Sequence, residues 1–442
     1  MRIDRLRVWN FRGFKEREFS FHPQMNLLVG VNGTGKTSVL DALAVAAGSW
    51  FLGLRGYDTR HIRSDEVRLQ AIPAHASGSK NGRSTTPVNW EHQYPCSVEA
   101  SGEIHGRAVS WKRSLNKPGG RTAYVEAKDI KQLAADADTA VRDGKSIVLP
   151  LISYYGTGRL WDIPREQSKV KPGQRLTAKE TRSRLAGYRN SIDPRVSVSD
   201  LVRWTADQSW IEFQQGAKSP AYEAVRKAIA ACLEGARNFY FDARRSEVIV
   251  ETTGHEPQPF ANLSDGQKTL LALVGDLAQK AMTLNPSLGG QALAKTPGVV
   301  LIDELDLHLH PIWQRNVIEN LRTTFPKIQF FATTHSPFLI QSLRSGEELL
   351  MLEGAPTAQL GNKTLAEIAH GIMGVAETEV SERYKEMKHS ATRYLETLEQ
   401  AGKSPAAKLA AFEAELAKAV GPYADNPAFQ AFLEMKRAAK LG

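Results

Sequence analysis

Met25-Asn-Leu-Leu-Val29 runs directly into Gly30-Val-Asn-Gly-Thr-Gly-Lys36-Thr37, and Lys36–Ala47 follows with Val39, Leu40, Leu43 and Ala47 at helical spacing. A short apolar run ending at glycine suits a buried strand, so the order reads strand, glycine loop, helix. The loop fits the pattern G-x-x-x-x-G-K-S/T. Glycines there let backbone N–H groups turn inward around phosphate oxygens, and the N-terminus of the next helix adds partial positive charge. Lys36 is spaced to reach the β- and γ-phosphates, and the Thr37 hydroxyl suits Mg²⁺. Asn32, Gly33, Thr34, Gly35 and Ser38 complete the cradle. Average residue usage gives a chance match in a chain this long odds of roughly 1–2%. The expected ligands are ATP and Mg²⁺.

A second signal lies far downstream, in Val299-Val-Leu-Ile-Asp303-Glu304. The apolar residues make a buried strand, and the acids stand at its carboxyl end, where open α/β sheets bind ligands. Asp303 is the candidate for the Mg²⁺ shell. Glu304 is the candidate to orient and deprotonate an attacking water. Around them the pattern runs helix (264–283), strand (299–302), helix (312–325), strand (328–333). Such alternation implies a parallel sheet with helices on its faces, an α/β fold.

With 442 residues, two or three lobes are expected. The 42% hydrophobic and 24% charged content is that of an ordinary globular chain. Lys+Arg 57 against Asp+Glu 48 leaves +9, a surplus compatible with phosphate-rich partners. Cys96 and Cys232 stand far apart, which argues against a disulfide framework or a cysteine zinc site. The first residues carry no apolar signal region, and no apolar run approaches about 18 residues, so a cytoplasmic protein is expected. Alternation over residues 3–9 reads as a strand, and Phe19 with Phe21 as a second. Residues 73–88 read as a loop. Val98–Ile104 and Ala108–Leu115 read as an antiparallel pair, and Ile147–Tyr155 as a further strand. Leu201–Gln215 and Ala221–Ala236 are helical by pattern, Phe239–Glu251 a hairpin, and 381–419 two amphipathic helices. The expected division is an N-terminal half 1–160, a helical, basic insertion 161–236, a C-terminal half 237–355 and a helical region 356–442.

Leu263-Ser-Asp-Gly-Gln267 opens a predicted helix and resembles the ABC signature sequence, with Asp265 where transporters usually carry glycine. Motif order and type, over roughly 1–50 and 255–340, resemble the SMC-, RecF- and OLD-type ATPase heads. The resemblance implies an ABC/SMC-type head with an antiparallel β lobe, acting as a head-to-tail pair with ATP sandwiched between protomers. Ser264, Asp265, Gly266 and Gln267 would then cap the γ-phosphate held by the other protomer, as helix-terminus anion chemistry allows. Asp306 resembles the D-loop residue that touches the opposite protomer. His335, in Thr333-Thr-His-Ser-Pro337, resembles the switch histidine that senses γ-phosphate and would share the catalytic work with Glu304 and Lys36. Arg12, in Asn10-Phe-Arg-Gly-Phe14, resembles the N-terminal arginine that approaches the nucleotide. His308 and His310 read as framework of the acidic turn. For the Q-loop glutamine, Gln70 and Gln93 are both candidates.

Leu149–Trp161, the stretch from Gly187-Tyr188 to Trp204, and Ile368 through Met373-Gly-Val375 to Met387 resemble the PtuA-like ATPases of Septu anti-phage systems and some retron defence modules. In those systems a separate HNH nuclease is the partner, which implies such a partner here. Leu349-Leu-Met-Leu-Glu353-Gly354 faintly resembles the opening strand of a Toprim nuclease. Asp425 is the only later aspartate, so the D-x-D that Toprim needs is missing and no nuclease centre is recognisable. The basic segment Arg159–Arg195 has the charge to track a nucleic-acid backbone, whether DNA or retron-derived DNA/RNA. A RecF-like repair ATPase binding DNA directly and a slow-turnover nucleotide sensor are the alternative readings.

Overall fold

The computed structural model describes residues 1–73, 88–158, 183–195, 198–353, 363–373, 382–401, 431–433 and 435. They fall into two compact units, Met1–Ile368 and Ala369–Gly442. In chain order the strands of the first unit are β1 (Arg2–Phe11), β2 (Phe14–Ser20), β3 (Met25–Val29), β4 (Leu69–Pro73), β5 (Val88–His92), β6 (Cys96–Ile104) and β7 (Arg107–Leu115). They continue as β8 (Leu151–Tyr155), β9 (Ala236–Asp242), β10 (Glu247–Thr252), β11 (Gln258–Pro259), β12 (Gly298–Ile302), β13 (Ile328–Thr333) and β14 (Leu349–Met351). Its main helices are α1 (Lys36–Ala47), α2 (Lys128–Arg142), α3 (Val198–Gln215), α4 (Pro220–Cys232), α5 (Asp265–Leu284), α6 (Ala292–Lys295), α7 (Pro311–Thr324) and α8 (Pro337–Gln341).

The centre is a five-stranded sheet in the order β14-β3-β13-β12-β8. Every neighbouring pair in it is parallel. Residues of β3, β8, β12 and β13 are buried along their whole length. That is the reason these segments read as continuous apolar runs instead of alternating ones: both faces of a parallel sheet are covered. Leu349-Leu-Met joins this sheet as β14, with Leu349 paired to Leu27 and Met351 to Val29. The strand that faintly resembled a Toprim opening is thus the fifth strand of the nucleotide sheet.

A second sheet, β2-β1-β6-β7, is antiparallel and forms the lobe expected from the alternating segments. Val8 faces Arg17 on one side and Val98 on the other. The hairpin of 239–251 is observed as β9 and β10, joined by β11. Two elements were not foreseen. Strands β4 and β5 pair as a separate antiparallel ribbon; of the loop expected over 73–88, Pro73 and Val88 are strand residues and 74–87 lie outside the described residues. Helix α2 buries Ile130, Ala134 and Ala137. That stripe lies opposite Lys128, Asp129, Gln132 and Asp136, a marked helical period that was open to a reading of the sequence. In the second unit the helix Glu382–Ala401 matches the first amphipathic stretch, with Tyr394 buried. The second stretch, 406–419, lies outside the described residues. Cys96 and Cys232 are buried and free.

Phe331 is fully buried on β13, with the Phe21 ring set edge-on at 4.8 Å between centroids. Phe331→Ala is predicted to cost about 3–5 kcal/mol, because the vacated volume cannot collapse inside a sheet covered on both faces. Urea denaturation checks it; an unchanged midpoint would remove this position from the core.

Candidate functional site

The phosphate loop sits between β3 and α1, at the carboxyl edge of the parallel sheet. Gly35 is the N-cap of α1 and adopts φ 98°, ψ 21°, a left-handed conformation that side chains disfavour. A Cβ there would also stand 2.7 Å from the Phe14 ring. Lys36 is 8% exposed and its Nζ donates to the carbonyls of Gly30 (2.7 Å) and Val31 (3.2 Å), so it lies over its own loop. Burial lowers the pKa of the ammonium, and the nearby Asp303, Glu304 and Asp306 oppose that shift. Thr34 donates to Val31 O, Asn32 and Gly33 are exposed at the loop tip, and Thr37 and Ser38 open the helix.

Across from the loop, Asp303 follows β12, and its N–H donates to Tyr155 O at 2.7 Å. Thr37 Oγ1 lies 3.2 and 3.4 Å from the two Asp303 carboxylate oxygens. A hydroxyl and a carboxylate converging from two different strand ends are hard oxygen donors, which fit Mg²⁺. Thr333, the last residue of β13, serves the acidic turn three times. Its Oγ1 donates to Asp303 (2.6 Å) and accepts from Glu304 N (2.7 Å), and its carbonyl accepts from Leu305 N (2.9 Å). Glu304 itself has φ 48°. A left-handed side-chain-bearing residue costs roughly 1–2 kcal/mol, which these bonds offset. The turn then winds on, with Leu307 N to Glu304 O and Leu309 N to Asp306 O both at 3.0 Å. Asp306 accepts from Thr334 Oγ1 at 2.6 Å and from His335 N at 3.4 Å. His335 is exposed, one residue before the Ser336 cap of α8.

Ser264 caps α5, and a reciprocal box with Gln267 closes it: Gln267 N donates to Ser264 Oγ (3.3 Å) and Ser264 N to Gln267 Oε1 (3.0 Å). Asp265 is exposed, with Lys268 3.9 Å from its carboxylate. Gly266 is buried, and a Cβ on it would collide with His308 O and press on Trp313. Glycine here lets the first turn of α5 close on the turn that carries Asp306. The structure thereby sets Gly266, of the segment expected as a signature, against the turn that carries Asp306, and Lys36 and Thr37 near Asp303.

Arg12 stands apart from that pattern. It has φ 49°, its N–H donates to Glu66 O (2.6 Å), and its Nη2 donates to Asp41 on α1 (2.6 Å) and lies 3.6 Å from Glu66. Arg60 pairs with Glu66 and lies 3.4 Å from Asp41. Burial raises the pKa of the Asp41 carboxyl, against the pull of Arg12 and Arg60. Asp41, Arg60 and Glu66 were missed in the sequence because they belong to no contiguous motif; a buried acid within the phosphate-loop helix was the one available signal. Gln70 and Gln93 both hydrogen-bond within the ribbon region, Gln70 to Arg68 and Gln93 to Glu91 O. His310 caps α7 and His308 takes a left-handed turn position at φ 63°, both framework roles. In the described end of the basic segment, Arg184 donates to the carbonyls of Ile147 and Leu284, which is scaffold work.

Thr333→Val keeps the shape and removes the bridging hydroxyl. The expected result is a 10–100-fold higher Mg²⁺ midpoint for nucleotide binding, the usual penalty for losing a group that orients a metal ligand. Fluorescent-ATP titration at graded Mg²⁺ checks it, and an unshifted midpoint would strip Thr333 of that role.

The sequence profile of the family described as AAA domain, putative AbiEii toxin, Type IV TA system matches residues 25–341. Septu protein PtuA of Bacillus thuringiensis is 31% identical over 391 residues, covering 85% of this chain and 85% of that protein. Retron Vc95 probable ATPase of Vibrio cholerae serotype O1 biovar El Tor is 26% identical over 394 residues, covering 78% of this chain and 72% of that protein. Among solved structures, the Smc head bound to the C-winged helix domain of ScpA aligns with a TM-score of 0.46 at 17% identity, covering 81% of this chain and 98% of that one. The chain belongs to this AAA-domain family and, within it, to the group of the Septu PtuA proteins.

Proposed function

We propose that this protein binds ATP with Mg²⁺, hydrolyses it at a site completed by a second copy, and uses the cycle to control a partner nuclease in anti-phage defence. The observation that carries the reading is the convergence of Thr37 and Thr333 on the Asp303 carboxylate, with the Glu304 N–H held by Thr333 and Lys36 on the facing loop. In this reading Lys36 and the N–H groups of the loop bind the β- and γ-phosphates. Thr37 and Asp303 hold Mg²⁺, which when bound neutralises charge on the phosphate oxygens. Glu304 orients the attacking water and accepts its proton. His335 reads the γ-phosphate, and Arg12, held against α1 by Asp41, approaches the nucleotide from the β1–β2 hairpin. Most of the acceleration then comes from positioning and electrostatics.

The Ser264–Gln267 cap is turned into an anion site by the free N–H groups of the first helical turn. Its hydrogen bonds are internal to α5, and it lies beside Asp306, so the reading assigns both to the nucleotide of the second copy. Binding of ATP then closes the pair and hydrolysis releases it. The names of the relatives support the defence setting, and an HNH nuclease held or freed by this cycle is the partner we infer, with nucleic acid as its target. Among the described residues no helix is long and apolar enough to cross a membrane, in keeping with action in the cytoplasm.

Glu304→Gln is expected to lower turnover by about 10²–10⁴-fold, the range for loss of a general base, and to accumulate an ATP-bound dimer. Mass photometry with and without ATP, beside phosphate release, checks this; undiminished hydrolysis would remove Glu304 from the role. Ser264→Arg places a long cation at the α5 cap, where it blocks the second copy's phosphates. It should keep wild-type ATP affinity by titration yet lose turnover, and normal turnover would exclude a composite site.

A further inference from the structure

Helix α5 carries charges that neither its cap nor the phosphate loop uses. Asp276 and Lys280 stand one helical turn apart, are 6% and 8% exposed, and lie 2.7 Å from each other. Opposite them, Ser153 and Tyr155 are alternate residues of β8, so they share one face of the strand. The Tyr155 hydroxyl donates to Asp276 Oδ2 at 2.7 Å, and Lys280 Nζ donates to Ser153 Oγ at 3.1 Å. The Lys280 ammonium also stands 5.7 Å from the Tyr155 ring centre. The two-residue repeat of a strand is thereby matched to the four-residue repeat of a helix, residue for residue.

Tyr155 has a second attachment. Its main-chain carbonyl accepts the N–H of Asp303 at 2.7 Å. One residue therefore holds the signature helix by its side chain and the first acid of the site by its backbone. Asp276 is twelve residues from Ser264, so the tie acts about 18 Å along the helix from the cap. At the cap itself, the close approach of Gly266 to His308 O gives α5 its other anchor on the acidic turn.

Burying an ion pair returns little stability compared with apolar residues of the same volume. Leucine and methionine would fill this space as well. What the two hydrogen bonds between helix and strand add is direction: the pair travels with the helix, but the helix can neither slide by a turn nor rotate without stranding the buried Tyr155 and Ser153 hydroxyls.

We propose that Tyr155, Asp276, Lys280 and Ser153 are positioning residues for ATP turnover, locking the signature helix to the strand end that bears Asp303. The cap offered to the second copy's nucleotide and the acids serving the protomer's own nucleotide then move as one body. This rests on the two-copy composite site proposed above.

The test uses the full chain as wild type, Tyr155→Phe, and the double variant Asp276→Leu with Lys280→Met. Each is assayed for ATP turnover, and each is also built on Glu304→Gln for mass photometry with ATP. The double variant should remain folded, since apolar residues replace the buried pair, while the Tyr155 and Ser153 hydroxyls lose their partners on the helix. Both variants should lose at least tenfold in kcat with KM for ATP within about twofold, and their Glu304→Gln forms should give a smaller dimer fraction. A folded double variant with wild-type kcat overturns the proposal and leaves the network to packing alone. Should the double variant not fold, Tyr155→Phe, which loses one hydroxyl, decides by the same kcat criterion. If Glu304→Gln alone stays monomeric in ATP, the composite site fails and the proposal with it. If that dimer forms and kcat is unchanged in the variants, only the proposal fails.

Discussion

A single threonine hydroxyl organises the acidic end of this sheet. Thr333 Oγ1 donates to Asp303 and accepts from the N–H of Glu304, and the Thr333 carbonyl takes the N–H of Leu305. Few groups as small as a hydroxyl can donate and accept at once. It can do so here because β12 and β13 are parallel neighbours, with Ile302 beside Ala332, so both chains leave the sheet at the same edge. The same constraint reaches one strand further. Strand β3 lies on the other side of β13 and delivers the phosphate loop to that edge, which sets Thr37 against Asp303. An antiparallel β13 would have sent its end to the far side of the sheet and left the acids without this support.

What the sequence disclosed was whatever chemistry is written contiguously. The phosphate loop, the apolar strand ending in Asp303-Glu304 and the cap Ser264-Asp-Gly-Gln267 each need several residues in a row, because a loop or a helix turn is local. The parallel sheet followed from the alternation of elements, and the antiparallel lobe from period-two segments. The Arg12–Asp41–Glu66–Arg60 cluster was not legible: its members meet only because the β1–β2 turn, α1 and the 60–66 segment converge in space. Helix α2 was legible in its period, with Ile130, Ala134 and Ala137 on one face, and went unread because no chemical motif lies on it. The Leu349-Leu-Met strand was legible as a strand but not by its partner, since pairing with β3 spans most of the chain.

Buried polar residues fall into two kinds here. Asn285 is one: it is fully buried, accepts from Leu149 N, and donates to Leu149 O and Thr296 Oγ1, which satisfies backbone that would otherwise be stranded. Arg113 is another of that kind. It is fully buried among neutral acceptors, Ala123 O and Thr59 Oγ1, with no carboxylate among the described residues in hydrogen-bond contact, and burial pushes its pKa down to about 10. These groups hold the scaffold. The second kind joins parts that must keep a fixed geometry for chemistry: Thr333 between the two acids, Asp41 between α1 and Arg12, and Tyr155 between α5 and Asp303.

The second kind shares one property. Each such residue is tied, directly or through one further residue, to a group that the proposed function assigns to the nucleotide or its Mg²⁺. Apolar contacts tolerate small slides, because dispersion and burial vary gently with position. Hydrogen bonds do not: they weaken steeply with misalignment, and a buried unpaired group costs more than the bond returns. The composite site proposed above, with its half-sites on different elements, would therefore need directional ties between them. The sheet edge, the acidic turn and α5 are joined by such ties at Tyr155, Ser153, Thr333 and Thr334. On that division, the core sets how stable the head is, and a handful of hydroxyls and carboxylates set where its reactive groups stand.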